Sequence, residues 1–171
     1  MTPSPTIDVR RAEDRLATRL PWLDSHHSFS FSRHYDPANT HHGLLLVSND
    51  DVVRAGTGFS THPHQDMEIV TWVLEGELEH NGSASGRGHD AAISIRQEGA
   101  VLWGGRLRPG ETAAVPDARS AHLFVARGAL TLDGAGRLEA GDAVRFTEAG
   151  APSITADPAD GAEVLIWELA S

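Results

Sequence analysis

With 171 residues, 24 Asp and Glu against 14 Lys and Arg, and a net charge of −10, the chain is too acidic for a duplex-sized phosphate surface, and nucleic acid would reach it only through another protein. The absence of cysteine excludes disulfides, thiolate metal sites and cysteine nucleophiles, which leaves ten histidines and the carboxylates as possible metal ligands. No run approaches the roughly 18 apolar residues of a membrane span, and MTPSPTIDVRRAEDRL lacks the apolar stretch of a signal peptide, so a cytoplasmic protein is expected.

Residues 8–20, DVRRAEDRLATRL, allow either a short charged helix ended by Pro21 or an extended segment. SFSFSRHY at 28–35 alternates Phe29 and Phe31 with serine, as on a half-buried strand. DPANTHHG reads as a turn-rich connection, and LLLVSNDDVV at 44–53 as a strand interrupted at Asn49, Asp50 and Asp51. From Met67 to Leu74 the run is short and rich in Ile, Val and Trp, which favours strand over helix. After Gly86 come AAISIRQ, AVLWGGRL, AHLFVARG, ALTLDG, AVRF and EVLIWEL, short strands spaced by PGE, PDARS, DGAG, EAGD and TEAGAP turns. Short strands at regular spacing with Gly and Pro turns predict an all-β sandwich or barrel, not a βαβ fold.

VLEGELEHNG at 73–82 aligns without a gap on VARGALTLDG at 125–134, each reading as strand, glycine turn, strand, glycine turn. The match reflects either a duplicated unit or grammar common to hairpins. The second copy continues into GRLEAGDAVRF, a returning strand, whereas the first breaks into SASGRGHD. The expected organisation is therefore an incomplete N-terminal unit over 1–83, a seam at 84–90 and a complete C-terminal barrel over 91–171.

THPHQDMEIVTWVLEGELEHNG at 61–82 holds the candidate chemistry. On an extended chain His62 and His64 point to one face, and Pro63 between them keeps His62 extended and removes an amide. Glu68 shares their parity if no bulge intervenes. Two imidazoles and a carboxylate suit iron, manganese or another first-row divalent ion, with positions left open for a substrate or dioxygen. Spacing alone serves equally well for a polar start to a strand, with Glu68 as the solvated partner of an arginine.

GTGFSTHPHQDMEIVTWVLEGELEHNGS resembles the histidine motif of the pirins, two-barrel members of the cupin superfamily, and the likeness runs upstream through LDSHHSFSFSRHYDP and downstream through GRGHDAAISIRQ to LIWEL. The resemblance implies a cupin-type β-barrel or jelly-roll fold in two copies, an iron-type divalent metal in the N-terminal barrel and a C-terminal barrel without metal. It also implies, in some members, dioxygen-dependent cleavage of quercetin, and in others a role as a nuclear or stress-linked cofactor of protein partners. The first two ligands of the family fall on His62 and His64. Pirins carry, after the first hairpin, a returning segment with a third ligand histidine and, two residues on, a ligand glutamate; nothing of the kind follows His80 here. Glu68 could enter the coordination sphere instead, or His80, or His41 or His42, or a second chain in a homodimer paired through open sheet edges.

The remaining features take plainer readings. His26, His27 and His34 are expected in solvated turns, and His122 as an edge or hydrogen-bonded barrel histidine. Trp72, Trp103 and Trp167 are expected in the core, and Arg10, Arg11, Arg15 and Arg19 at a surface or between domains. The function expected is that of a pirin-like cupin with a partial metal site. It would take Fe(II), or Ni, Zn or Mn, at low occupancy, and bind a protein partner or a flavonol-like small molecule with little or no catalysis. The alternative is a quercetin 2,3-dioxygenase-like enzyme with His62 and His64 as ligands and Glu68 as ligand or base.

Overall fold

The computed structural model describes residues 4–60, 62–78 and 95–170. Its strands are β1 (Thr6–Arg10), β2 (Leu16–Leu20), β3 (Leu23–His27), β4 (Asn49–Val53), β5 (Ala100–Leu107), β6 (Thr112–Ala114), β7 (Ser120–Leu132), β8 (Gly136–Glu139), β9 (Ala143–Thr147), β10 (Ser153–Ala156) and β11 (Ala162–Leu169). The chain divides into two compact units, Met1–Phe59 with Gly99–Ser171, and Ser60–Glu98. The boundaries of the expected seam at 84–90 lie outside the described residues.

In the first unit β7 organises a cupin-type barrel. Its first half pairs antiparallel with β9 on one side and β11 on the other, and its second half with β8 and β10. β5 extends the sheet from β11, and β6 from β10. The two sheets enclose Val115, Leu123, Val125, Leu130, Leu132, Leu138, Val144, Phe146, Ile154, Val164 and Ile166. Ser120 to Val125 are buried without alternation, because both faces of this stretch are covered. Leu123 and Val125 enter the barrel core. His122 and Phe124, on the opposite face, meet Phe29 and Arg15 from the N-terminal part of the chain.

Gly128 does not make the expected turn. β7 runs through it for 13 residues, and Gly128, at φ +70°, stands opposite Ala162 just beyond the point, between Arg127 and Val125, where the pairing with β11 shifts register. A Cβ there would stand 2.2 Å from the Gly161 carbonyl oxygen, so the close approach of two backbones requires glycine. Gly76, its counterpart in the internal repeat, shares the positive φ at +79° but lies in a bend rather than a strand.

Between 8 and 20 the extended reading holds and the helix does not form. β1 pairs along its length with β9, so the first strand of the chain completes the sheet built by the last third. Ile7 and Val9 pack on the barrel core. A single 3-10 turn at Ala12–Asp14 follows, docked by the buried Asp142 carboxylate, which accepts from Arg11, the Ala12 amide and the Glu139 amide. β2, β3 and β4 form a separate three-stranded antiparallel sheet.

Two further expectations fail in this region. SFSFSRHY is not a strand: a Phe31–His34 bridge closes a tight turn in which Ser32 takes φ +53°. In LLLVSNDDVV the supposed interruption is itself the strand, NDDVV. Asn and Asp are poor strand formers in isolation, but Asn49 Oδ1 lies 3.0 Å from His27 Nδ1 and Asp50 pairs with the buried Arg15 guanidinium. Cross-strand partners outweigh propensity.

The tryptophans also depart from expectation. Trp103 is 53% exposed on β5, its indole N–H donating to Glu168. Trp72 is 42% exposed and lies outside any strand. Only Trp167 packs inward, beside Phe29, Leu45 and Leu169. In the second unit no strand forms across 62–78, contrary to the reading of Met67 to Leu74, and Met67, Ile69, Val73 and Leu78 are all exposed. A strand needs a neighbour in register for its amides and carbonyls, and no strand pairing among the described residues includes this segment.

Candidate metal centre

His62 and His64 lie outside any strand, both exposed, their ring centroids 4.5 Å apart and their planes at 67°. The His-Pro-His spacing thus brings two imidazoles together without the strand that the parity argument assumed. His62 Nδ1–H donates to the Ser60 carbonyl at 2.7 Å. That bond places the proton on Nδ1 and the lone pair on Nε2, the arrangement of a metal-ligating histidine held by an outer partner.

Glu68 does not join them. Its two carboxylate oxygens accept the backbone amides of Arg96, at 2.8 Å, and Gln97, at 2.7 Å. A carboxylate is a strong acceptor for two adjacent amides, and here it clips the end of the second unit to its middle. These main-chain partners were missed in the sequence, which carries no side-chain signal for an amide 28 residues away.

Two of the substitute ligands, His42 and His41, have partners elsewhere. His42 Nε2–H donates to the Phe146 carbonyl at 3.0 Å, and His41 Nδ1 lies 2.9 Å from the Thr40 hydroxyl. His27, expected in solvent, is buried, with Thr18 Oγ1 2.9 Å from Nε2 and Asn49 Oδ1 3.0 Å from Nδ1. His34 donates from Nε2 to the Ala17 carbonyl. His122, expected at an edge, is fully buried at the centre of the sheet. His80 and His89 lie outside the described residues. Of the arginines expected at a surface or between domains, Arg15 has its side chain buried against Asp50, Gly141 O and His26 O.

A catalytic divalent ion needs at least three protein donors with an open position. Among the described residues no group of three His, Asp or Glu is placed to hold a metal. Of the histidines and the carboxylate that the sequence offered here, the described residues bring together the two exposed imidazoles of His62 and His64.

An antiparallel barrel built around a strand shared between two sheets, preceded by a His-Pro-His segment, defines a protein of the cupin class. Within that class the chain belongs to the pirin family: the family model for pirin matches residues 9–97, and the model for the quercetinase C-terminal cupin domain matches residues 82–169. A Mycobacterium bovis relative, provisionally named a quercetin 2,3-dioxygenase, is 40% identical over 234 aligned positions that take in 96% of this chain and 95% of its own. The Escherichia coli K12 quercetin 2,3-dioxygenase is 53% identical over 77 residues, which is 45% of this chain and 33% of that protein. The crystal structure of the Escherichia coli pirin YhhW in complex with nickel(II) superposes with a TM-score of 0.80 at 27% identity, covering 96% of this chain and 99% of that one. Because 234 aligned positions face a chain of 171 residues, at least 63 of them, the difference, have no counterpart here.

Proposed function

We propose that this pirin-family cupin is a binding or regulatory protein with a residual metal site: His62 and His64 hold a first-row divalent cation weakly, and catalysis is slight or absent. The observation that carries the reading is the commitment of both Glu68 oxygens to the Arg96 and Gln97 amides, which leaves two imidazoles where a catalytic ion needs three or more donors. The shortfall of at least 63 positions supports it. We place the missing stretch after His80, where the returning segment with the third histidine and the glutamate of the family is lacking. Iron(II) is the metal proposed, with nickel, zinc and manganese as competitors; the nickel in the related bacterial pirin supports a divalent ion of this group. The ligand would be a protein partner or a flavonol-like molecule, and the setting the cytoplasm, which cell fractionation tests. No helix among the described residues is long and apolar enough to cross a membrane.

The second reading, a quercetin 2,3-dioxygenase, is favoured by the names of the relatives. One experiment separates the two. Protein equilibrated with iron(II), nickel(II), zinc(II) or manganese(II) and passed through a desalting column should retain less than one ion per chain, and none after His62→Ala or His64→Ala. With quercetin, iron(II) and air it should bleach the flavonol no faster than the His62→Ala variant does. Turnover that depends on His62 would replace this reading with the enzymatic one and return Glu68, His80 or a second chain to the ligand set.

A further inference from the structure

The face of the β7–β9 sheet turned away from the barrel core carries a buried polar patch that the metal site does not use. His122 on β7 lies opposite Arg145 on β9, and both are buried. Arg145 donates through Nη2 to the Ser28 carbonyl, at 2.8 Å, and to Asn39 Oδ1, and its guanidinium lies 4.5 Å from the centroid of the Phe29 ring. Phe29 also covers His122, ring centroids 5.7 Å apart. His42 reaches the same strand through Phe146 O. Residues 28–45, the strap between β3 and β4, are thus fastened to β7 and β9 by Phe29, Asn39, His42 and their own main chain. Beneath the strap, His122 Nε2 is buried with no hydrogen-bond partner among the described residues.

We propose that His122 makes this strap releasable by acid: a proton taken up on Nε2 would stand beside the Arg145 guanidinium with no acceptor to receive it, so the strap must lift and admit water. The charged groups that act on it among the described residues are cationic or share its histidine chemistry. Arg145 faces His122 from β9, His42 from the strap, and Arg15, paired with Asp50, from the segment ahead of β2. Trp167 on β11 is its neutral cross-strand neighbour. On β1, Asp8 lies opposite Arg145 but accepts two bonds from Arg10. Burial first, and then the charge of Arg145, hold the His122 imidazole down to about 3 from the ordinary 6.5; burial lowers His42 as well. A histidine depressed in the closed state favours closure fully above its released value. That preference is lost as the pH falls from about 6.5 towards 3, with the opening constant rising up to about tenfold per pH unit for one proton.

Hydrogen exchange on the full chain between pH 7 and pH 4 tests this, after correction for the intrinsic pH dependence of exchange. The Ser30, Phe31 and His34 amides, bonded within the strap to Asn39 O, His34 O and Phe31 O, should lose protection with a slope near one proton. Those of β7, β9 and β11 should keep theirs. His122→Leu should flatten the slope, and His42→Gln should leave at least half of it. Should His122→Leu not fold, the nitrogen shifts of the His122 ring in the native protein decide: the ring should stay neutral while the strap is protected and protonate only as it opens. Parallel loss across strap and sheet, a slope that survives His122→Leu, or a ring that titrates under a closed strap would each overturn the proposal.

Discussion

At the residue scale the molecule separates side chains that the sequence presents as one set. His62 and His64 are legible because an i, i+2 pair around proline converges in extended chain whether or not a strand forms. Glu68 was legible only as a carboxylate; its destination depended on an assumed strand and on main-chain amides that no residue type announces. If Glu68 is a clip and not a ligand, Glu68→Ala should leave metal affinity within about twofold of wild type, while His64→Ala abolishes it. The same substitution should speed exchange of the Arg96 and Gln97 amides about five- to tenfold, corresponding to about 1 kcal/mol for bonds to an exposed carboxylate. Calorimetric metal titration and exchange by NMR give the two readings. Loss of metal binding in Glu68→Ala, with those amides unchanged, would return the carboxylate to the ligand set.

At the scale of elements, legibility follows how strands are stabilised. AVLWGGRL, AVRF and EVLIWEL appear as β5, β9 and β11 because short apolar runs bounded by turns match strands, β9 and β11 buried through most of their length and β5 alternating between covered and exposed positions. NDDVV misled because partners at a distance, Arg15 and His27, override local preference, and SFSFSRHY because a tight turn closed by the Phe31–His34 bridge cuts the alternating stretch. The glycines separate in the same way. Gly128→Ala should cost about 2–4 kcal/mol, since it adds a clash with Gly161 O to a left-handed backbone. Gly136→Ala, at φ +80° with nothing within 4 Å of the added carbon, should cost only the backbone strain of about 1 kcal/mol. Urea midpoints of the two variants compare them directly. Equal losses would mean that β7 tolerates a side chain at Gly128 and that the crossing between the two sheets is looser than the pairing of Ala162 with Gly128 implies.

At the scale of the whole molecule, the first and last thirds of the chain build one unit and the middle builds another, so the order of folding units is not the order of the sequence. Nothing local reveals this: only the pairing of TIDVR with AVRFT shows that it joins a sheet whose other strands lie between Ala100 and Leu169. The consequence can be tested with a protease. Residues 62–78 present Met67, Trp72 and Leu78 exposed and outside any strand, and cleavage follows exposed chain outside regular structure. Chymotrypsin at low ratio should therefore cut first in this segment. The two fragments, one carrying β1 to β4 and the other β5 to β11, should still elute together on a sizing column. The β1–β9 ladder, the Arg11–Asp142 pair and the strap on β7 and β9 hold them without a covalent link. In 6 M urea they should separate, and mass spectrometry of each peak identifies the cut. Fragments that part in native buffer would show that the N-terminal strand and strap contribute too little to hold the barrel.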